Sequence, residues 1–263
     1  MAERKTTMVV QHADELWRAS TRRGFLKVLG MGGSIVLLPS VFAACDDDGI
    51  TGPGGSAALN LTTDVGILNY AFALEQLEAA FYSAALAAAA FTGMTAEQKE
   101  VLTDLRNHEV AHREFLRSVL GTAAIGDLAL STPAVGTATA TAAAILKNAE
   151  AFEDLGVAAY NGAGKYLQDA SNLLVAGKIV SVEARHAAAI RDLREGLSLA
   201  GTPAGTRFAG DDVVNAQGLD VKLEPAAVLT RVAATGIVTS SISIGTQPTI
   251  TAATADAPPP TTP

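Results

Sequence analysis

Between about residues 62 and 200, apolar side chains recur every three or four positions in four successive stretches. The first stripe is Leu68, Phe72, Ala79, Tyr82 and Leu86; the second is Leu102, Leu105, Leu116 and Val119. The third is Leu146, Ala149, Gly156 and Tyr160; the fourth is Ala176, Ile179, Ile190, Leu193 and Leu197. That period is the signature of an amphipathic helix with one buried face. The boundary residues agree. Asp64 can cap a helix running to about residue 90, and Thr92-Gly93 ends it. Thr95-Ala96-Glu97-Gln98 reads as a capping box for a second helix that closes at Gly121. A looser stretch with Pro133 spans 122–137. Helices over about 139–161 and 169–199 follow, and no strand pattern interrupts the region. The pattern predicts an all-α, up-down four-helix bundle with a crossover between two helical pairs.

Each stripe is broken at its middle by charge. Glu75 and Glu153 sit in the first and third, and Glu109 with His112, and Glu183 with His186, in the second and fourth. Each Glu-x-x-His places both groups one turn apart on one face. Glu75 and Glu153 are each followed seven residues on by a tyrosine, Tyr82 and Tyr160, so the order Glu…Tyr, ExxH occurs twice. The segments 74–82 and 152–160 align as a repeated helical hairpin. A carboxylate inside an apolar stripe is buried, and an unpaired buried charge costs several kcal/mol. Two divalent ions supply +4 against four carboxylates, leaving the imidazoles neutral, and this is a ligand set that four-helix bundles use for two metals. The competing reading is a metal-free Glu–His hydrogen-bond network.

Other groups lie close by. Glu78, one turn after Glu75, is either an extra ligand or solvent-facing, and Glu150 reads as surface. Tyr82 and Tyr160 either donate hydrogen bonds to ligands across the bundle or simply fill the core. His108 points about 100° away from Glu109, toward the surroundings of the site or the surface. His108-Glu109-x-x-His112 also matches the zinc-protease pattern, but that reading leaves the second ExxH and both upstream Glu residues unexplained.

Composition narrows the function. The chain has 263 residues, is 49% hydrophobic and only 5% aromatic, which favours closely packed helices. A net charge of −8 argues against nucleic acid as a partner. A single cysteine, Cys45, rules out an intrachain disulfide.

The first 45 residues read as an export signal. Thr21-Arg22-Arg23-Gly24-Phe25-Leu26-Lys27 resembles the twin-arginine signal, with Arg22 and Arg23 as its pair. The apolar run 28–38 is too short for a membrane span. Val41-Phe42-Ala43-Ala44-Cys45 resembles a lipoprotein cleavage box, with Phe42 in place of the usual Leu. Lipidated Cys45 would then anchor the mature chain to the membrane in the cell envelope, on the periplasmic or extracellular side. Residues 46–61 would form a flexible linker. The twin-arginine machinery is thus an expected partner. By resemblance to its other clients, it exports folded proteins, which suits a site loaded with metal beforehand. Residues 201–263 read as an irregular extension, with a short helix near 223–229, a strand or extended arm within 237–250, and a disordered Pro/Thr-rich end.

The core, residues 62–200, resembles the ferritin-like superfamily of carboxylate-bridged dimetal proteins, which includes ferritins, bacterioferritins, rubrerythrins and manganese catalases. The resemblance rests on Leu-Glu-x-Leu-Glu-Ala-Ala-Phe-Tyr (74–82), His-Glu-x-x-His (108–112), Phe-Glu-Asp-x-Gly-Val-Ala-Ala-Tyr (152–160) and Val-Glu-Ala-Arg-His (182–186). Its nearest likeness is to an exported, desiccation-related branch. The resemblance implies that Glu75 and Glu153 are terminal or bridging ligands, that Glu109 and Glu183 bridge, and that His112 and His186 each cap one metal. It implies two divalent ions, Fe or Mn, and redox chemistry with O2 or peroxide, either ferroxidase-like or peroxide-removing, in stress protection. A homodimer is a further expectation. A lipid tether fits badly with a closed iron-storage cage. The alternatives are a non-catalytic envelope protein with a structural or lost metal site, and a metal-free scaffold.

Overall fold

The structure is a computed structural model that describes residues 57–196, 209–210 and 212–248. Arg22, Arg23 and Cys45 lie outside these residues, as do the ends of the predicted fourth helix and of the C-terminal extension.

Four long helices make the core: α1 (Asp64–Ala87), α3 (Ala96–Leu120), α5 (Ala142–Ala163) and α6 (Ala170–Gly196). Two short ones intervene, α2 (Ala89–Thr92) and α4 (Thr132–Ala138). The caps explain most boundaries. Thr95 and Gln98 form the reciprocal capping box of α3. Gly121 ends that helix at φ 54°, a backbone conformation that suits glycine. Thr141 caps α5 by accepting from the Ala144 N–H.

Two boundaries differ from expectation. The cap of α1 is Thr63, whose hydroxyl accepts from the Gly66 N–H. Asp64 instead accepts from the Gln168 and Asp169 N–H groups and from Asn172, fastening the start of α6 to the start of α1. The first helix also stops at Ala87, because Ala88 is extended (ψ 144°), and residues 89–92 form a separate turn.

The helices pack as two hairpins, α1 with α3 and α5 with α6. These face each other through α1 against α5 and α3 against α6. The crossover between the hairpins lies along α1, held by two side chains two turns apart. Asn69 donates to the Ala123 carbonyl and accepts from the Ile125 N–H, both at 2.8 Å. Gln76 accepts from the Leu128 N–H, also at 2.8 Å. These bonds satisfy two amides buried in a helix that is covered on nearly every face.

The segment expected to be a flexible linker is shorter at its C-terminal end. Residues Ala57–Asn60 form strand β1, paired in parallel with β2 (Ile242–Thr246). The C-terminal extension also forms α7 (Pro225–Ala234), whose Val228 and Val232 enter the core. Its backbone bonds back to the crossover at Ile237, which accepts from the Ser131 N–H, and at Thr239, which donates to the Ala129 carbonyl. Leu223 donates to the Ala158 carbonyl, and its own carbonyl crosses α5 at Gly162, where any Cβ would lie 1.8 Å from that oxygen.

Candidate metal centre

At mid-bundle the apolar stripes meet, and the charges within them converge. Glu75 comes from α1, Glu109 and His112 from α3, Glu153 from α5, and Glu183 and His186 from α6. All four carboxylates are fully buried. The ligand atoms form two groups, each within 4.8 Å: Glu75, Glu109, His112 and Glu183, and Glu109, Glu153, Glu183 and His186. Glu109 and Glu183 belong to both.

Individual distances show how the sharing works. His112 Nδ1 lies 2.9 Å from Glu183 Oε1, and 3.4 Å from both Glu75 Oε2 and Glu109 Oε2. His186 Nδ1 lies 2.8 Å from Glu109 Oε1, 3.3 Å from Glu153 Oε2 and 3.9 Å from Glu183 Oε2. Each shared carboxylate thus turns one oxygen to each imidazole, while Glu75 and Glu153 each serve one side.

The outer oxygens of the end carboxylates are satisfied. Tyr160 donates to Glu75 Oε1 and Tyr82 to Glu153 Oε1, both at 2.5 Å and both across the hairpin interface. The inner atoms are not. Glu75 Oε2, Glu109 Oε1, Glu153 Oε2, both Glu183 oxygens and His186 Nδ1 have no hydrogen-bond partner among the described residues, despite their proximity. Lone pairs that converge without hydrogen-bond geometry fit a shared cation. Left unpaired in the core, they would be costly.

Electrostatics point the same way. Burial, together with the Glu183 charge, pushes Glu109 up to about 7. Burial and the Glu75 charge push Glu183 up to about 8. Glu153 is raised by burial and by Glu109. Glu75 also feels burial, but His112 and hydrogen bonding outweigh it and hold this carboxyl below its ordinary value. Burial opposes charge on the imidazoles, yet Glu75 and its neighbours raise His112, and Glu153 and Glu109 raise His186 to about 10. Without metal, protons take the place of cations. Burial and the adjacent carboxylates push Tyr82 and Tyr160 well above their ordinary value, keeping both hydroxyls as donors.

Glu78 is buried, so its solvent-facing reading is excluded. It belongs to neither ligand group. Its carboxyl lies opposite Gly156, where a Cβ would come 3.1 Å from its Oε1 and 3.4 Å from Glu183 Oε2. Burial and the charges of Glu183 and Glu109 push it well above the usual carboxylate range. Glu150 is not a free surface group, since it pairs with Arg194, which is buried on α6. His108, partly exposed on α3, lies 2.9 Å through Nδ1 from His186 Nε2. Its position beside Glu109 signalled proximity to the site, but not this contact.

The sequence model of the ferritin-like domain matches residues 63–196, the span that holds all four long helices and all six converging side chains. No curated protein matches the chain. The matched domain covers half of the chain and coincides with the bundle that builds the carboxylate–histidine cluster, so the chain belongs to the ferritin-like domain family.

Proposed function

We propose that the chain is an exported, membrane-anchored dimetal-carboxylate protein that binds two Fe or Mn ions and reduces dioxygen or peroxide in protection of the cell envelope. One observation carries the dimetal part: Glu109 and Glu183 each turn one oxygen toward His112 and the other toward His186. Two ions held by Glu75, Glu109, His112, Glu153, Glu183 and His186 would account for the inward atoms of this set that lack a hydrogen bond. Oxygen and imidazole donors without a thiolate suit iron and manganese. When bound, either metal supplies the electrons for reduction of dioxygen or peroxide.

The chain's own residues do the rest. Glu75 and Glu153 close the two ends of the site. Tyr160 and Tyr82 hold these carboxylates by their outer oxygens, which leaves the inner oxygens turned into the site, where they would be free to hold a metal. The surrounding apolar stripes keep bulk water out of the core. Glu78, buried next to Glu183 and outside both ligand groups, is placed to pass a proton to or from the site.

Export and anchoring rest on the Arg22–Arg23 signal and the Cys45 box. No helix among the described residues is long and apolar enough to cross a membrane. Mass spectrometry of the membrane fraction should find lipidated Cys45 as the first residue, and Arg22→Lys with Arg23→Lys should block export. Unmodified soluble protein would remove the anchor, and unchanged export of the variant would remove the twin-arginine route. For the chemistry, protein loaded with Fe2+ or Mn2+ should consume O2 or H2O2 faster than equal free metal. Bound metal without either consumption would favour a structural metal site and a non-catalytic stress role.

A further inference from the structure

We propose that His108 is a positioning residue that makes the two halves of the centre unequal, so that the ion on the His186 side is resident and the ion on the His112 side exchanges with solvent. The inference rests on the dimetal reading above and concerns how its two positions differ.

The two ExxH turns look equivalent in sequence, but they are not equivalent in space. His186 uses both ring nitrogens. Nδ1 faces Glu109 and Glu153, and Nε2 lies 2.9 Å from His108 Nδ1 with the two rings only 7° from coplanar. Coplanar rings joined edge to edge are in hydrogen-bonding geometry. An N–H at His186 Nε2 that donates to His108 Nδ1 leaves the His186 Nδ1 lone pair free for a cation, and it fixes the plane of the ring. The tautomer is assigned from these contacts. Among the described residues, the polar contacts of His112 run through Nδ1. Its side chain is 14% exposed, against 5% for His186.

The source of the difference is one position in the repeat. His108 immediately precedes Glu109 on α3, and the residue that precedes Glu183 on α6 is Val182, which has no group able to hold the opposite ring. His108 belongs to neither ligand group, which leaves its Nδ1 lone pair to accept from His186. An exposed imidazole has no packing reason to sit in this geometry, whereas orienting the buried His186 ring gives it one.

The test is stepwise Zn2+ or Mn2+ binding to the full protein, followed by calorimetry and by timed removal with a chelator. Wild type should bind two ions in unequal steps and lose one first. His108→Ala should weaken the tighter step about 10- to 100-fold, as loss of a partner behind a metal-bound histidine typically does, and leave the weaker step in place. His108→Gln, which restores an acceptor, should recover part of the loss. In the 15N-labelled Zn2+ form, the His186 Nε2–H proton should exchange slowly in wild type and quickly in His108→Ala. Two ions bound with both steps unchanged in His108→Ala, or with both weakened alike, would overturn this inference alone. A wild-type protein that binds no metal would overturn the dimetal reading and this inference with it.

Discussion

Stripped of metal, the protein should become less stable as pH rises from 5 to 9. Glu109, at about 7, and Glu183, at about 8, keep protons in the folded chain that the unfolded chain releases above 4.5. A carboxyl raised in this way contributes stability that is complete below about pH 4.5 and lost as pH climbs through its folded value. His186, raised to about 10, has the same sign: its contribution is complete below 6.5 and lost toward 10. Glu75, held low, acts only on the acid side. A tenfold difference in proton affinity between the folded and unfolded chain is worth about 1.4 kcal/mol. Because the carboxyls share one site and lose their protons in linked steps, we take about 5 kcal/mol for the set between pH 5 and 9. A domain of this size loses about 2–4 °C per kcal/mol, so Tm should fall by roughly 10–20 °C. The assay is thermal melting in chelator at regular intervals of pH. With Mn2+ present the trend should flatten or reverse over pH 6–8, since the ion displaces the protons and binds better where they are scarce. A chelated protein that melts at pH 9 as high as at pH 6 would refute the reasoning.

Three substitutions test the surrounding structure. Gly162→Ala should lower Tm, by roughly 1–3 kcal/mol of stability, although alanine gains about 1 kcal/mol in a helix interior, because its Cβ would meet the Leu223 carbonyl at 1.8 Å; a raised Tm would contradict the packing of the C-terminal arm. Gly156→Ala should leave metal-free stability within about 1 kcal/mol but weaken metal binding in titration, since its Cβ crowds Glu78 Oε1 at 3.1 Å and so shifts the carboxyl that stands next to Glu183. Arg191→Met should cost about 1.5–3 kcal/mol in chemical denaturation, because this buried guanidinium makes bidentate bonds to Asp154 on α5 and to the half-exposed Asp212 in the C-terminal extension.

The convergence of the carboxylates and imidazoles was legible because these residues obey two local periods. The i, i+3 spacing of Glu109–His112 and Glu183–His186 fixes a common face. Their place within apolar stripes says that the face is buried, and the +7 spacing carries Tyr82 and Tyr160 toward the opposite hairpin. What stayed hidden depends on non-local partners. β1 pairs with a strand more than 180 positions later, and four residues with few polar cues carry no sign of a parallel partner. The stripe of α1 was visible, but its burial on the other faces was not, because the crossover that covers it is recruited by the amides of Asn69 and Gln76. Glu150 looked like surface because Arg194 lies on another helix. Glu78 and Gly156 occupy matching repeat positions, and only the packed structure shows that the glycine makes room for the carboxyl.

The dimetal claim is met most directly by anomalous X-ray diffraction on protein folded in the cytoplasm or reloaded with Mn2+ or Fe2+. The account predicts two peaks per chain, about 3.5–4 Å apart, one beside His112 Nδ1 and one beside His186 Nδ1, with Glu109 and Glu183 between them. A single peak elsewhere, or no peak together with a melting temperature that added Mn2+ or Fe2+ leaves unchanged, would contradict it and leave the cluster as a proton-sharing Glu–His network.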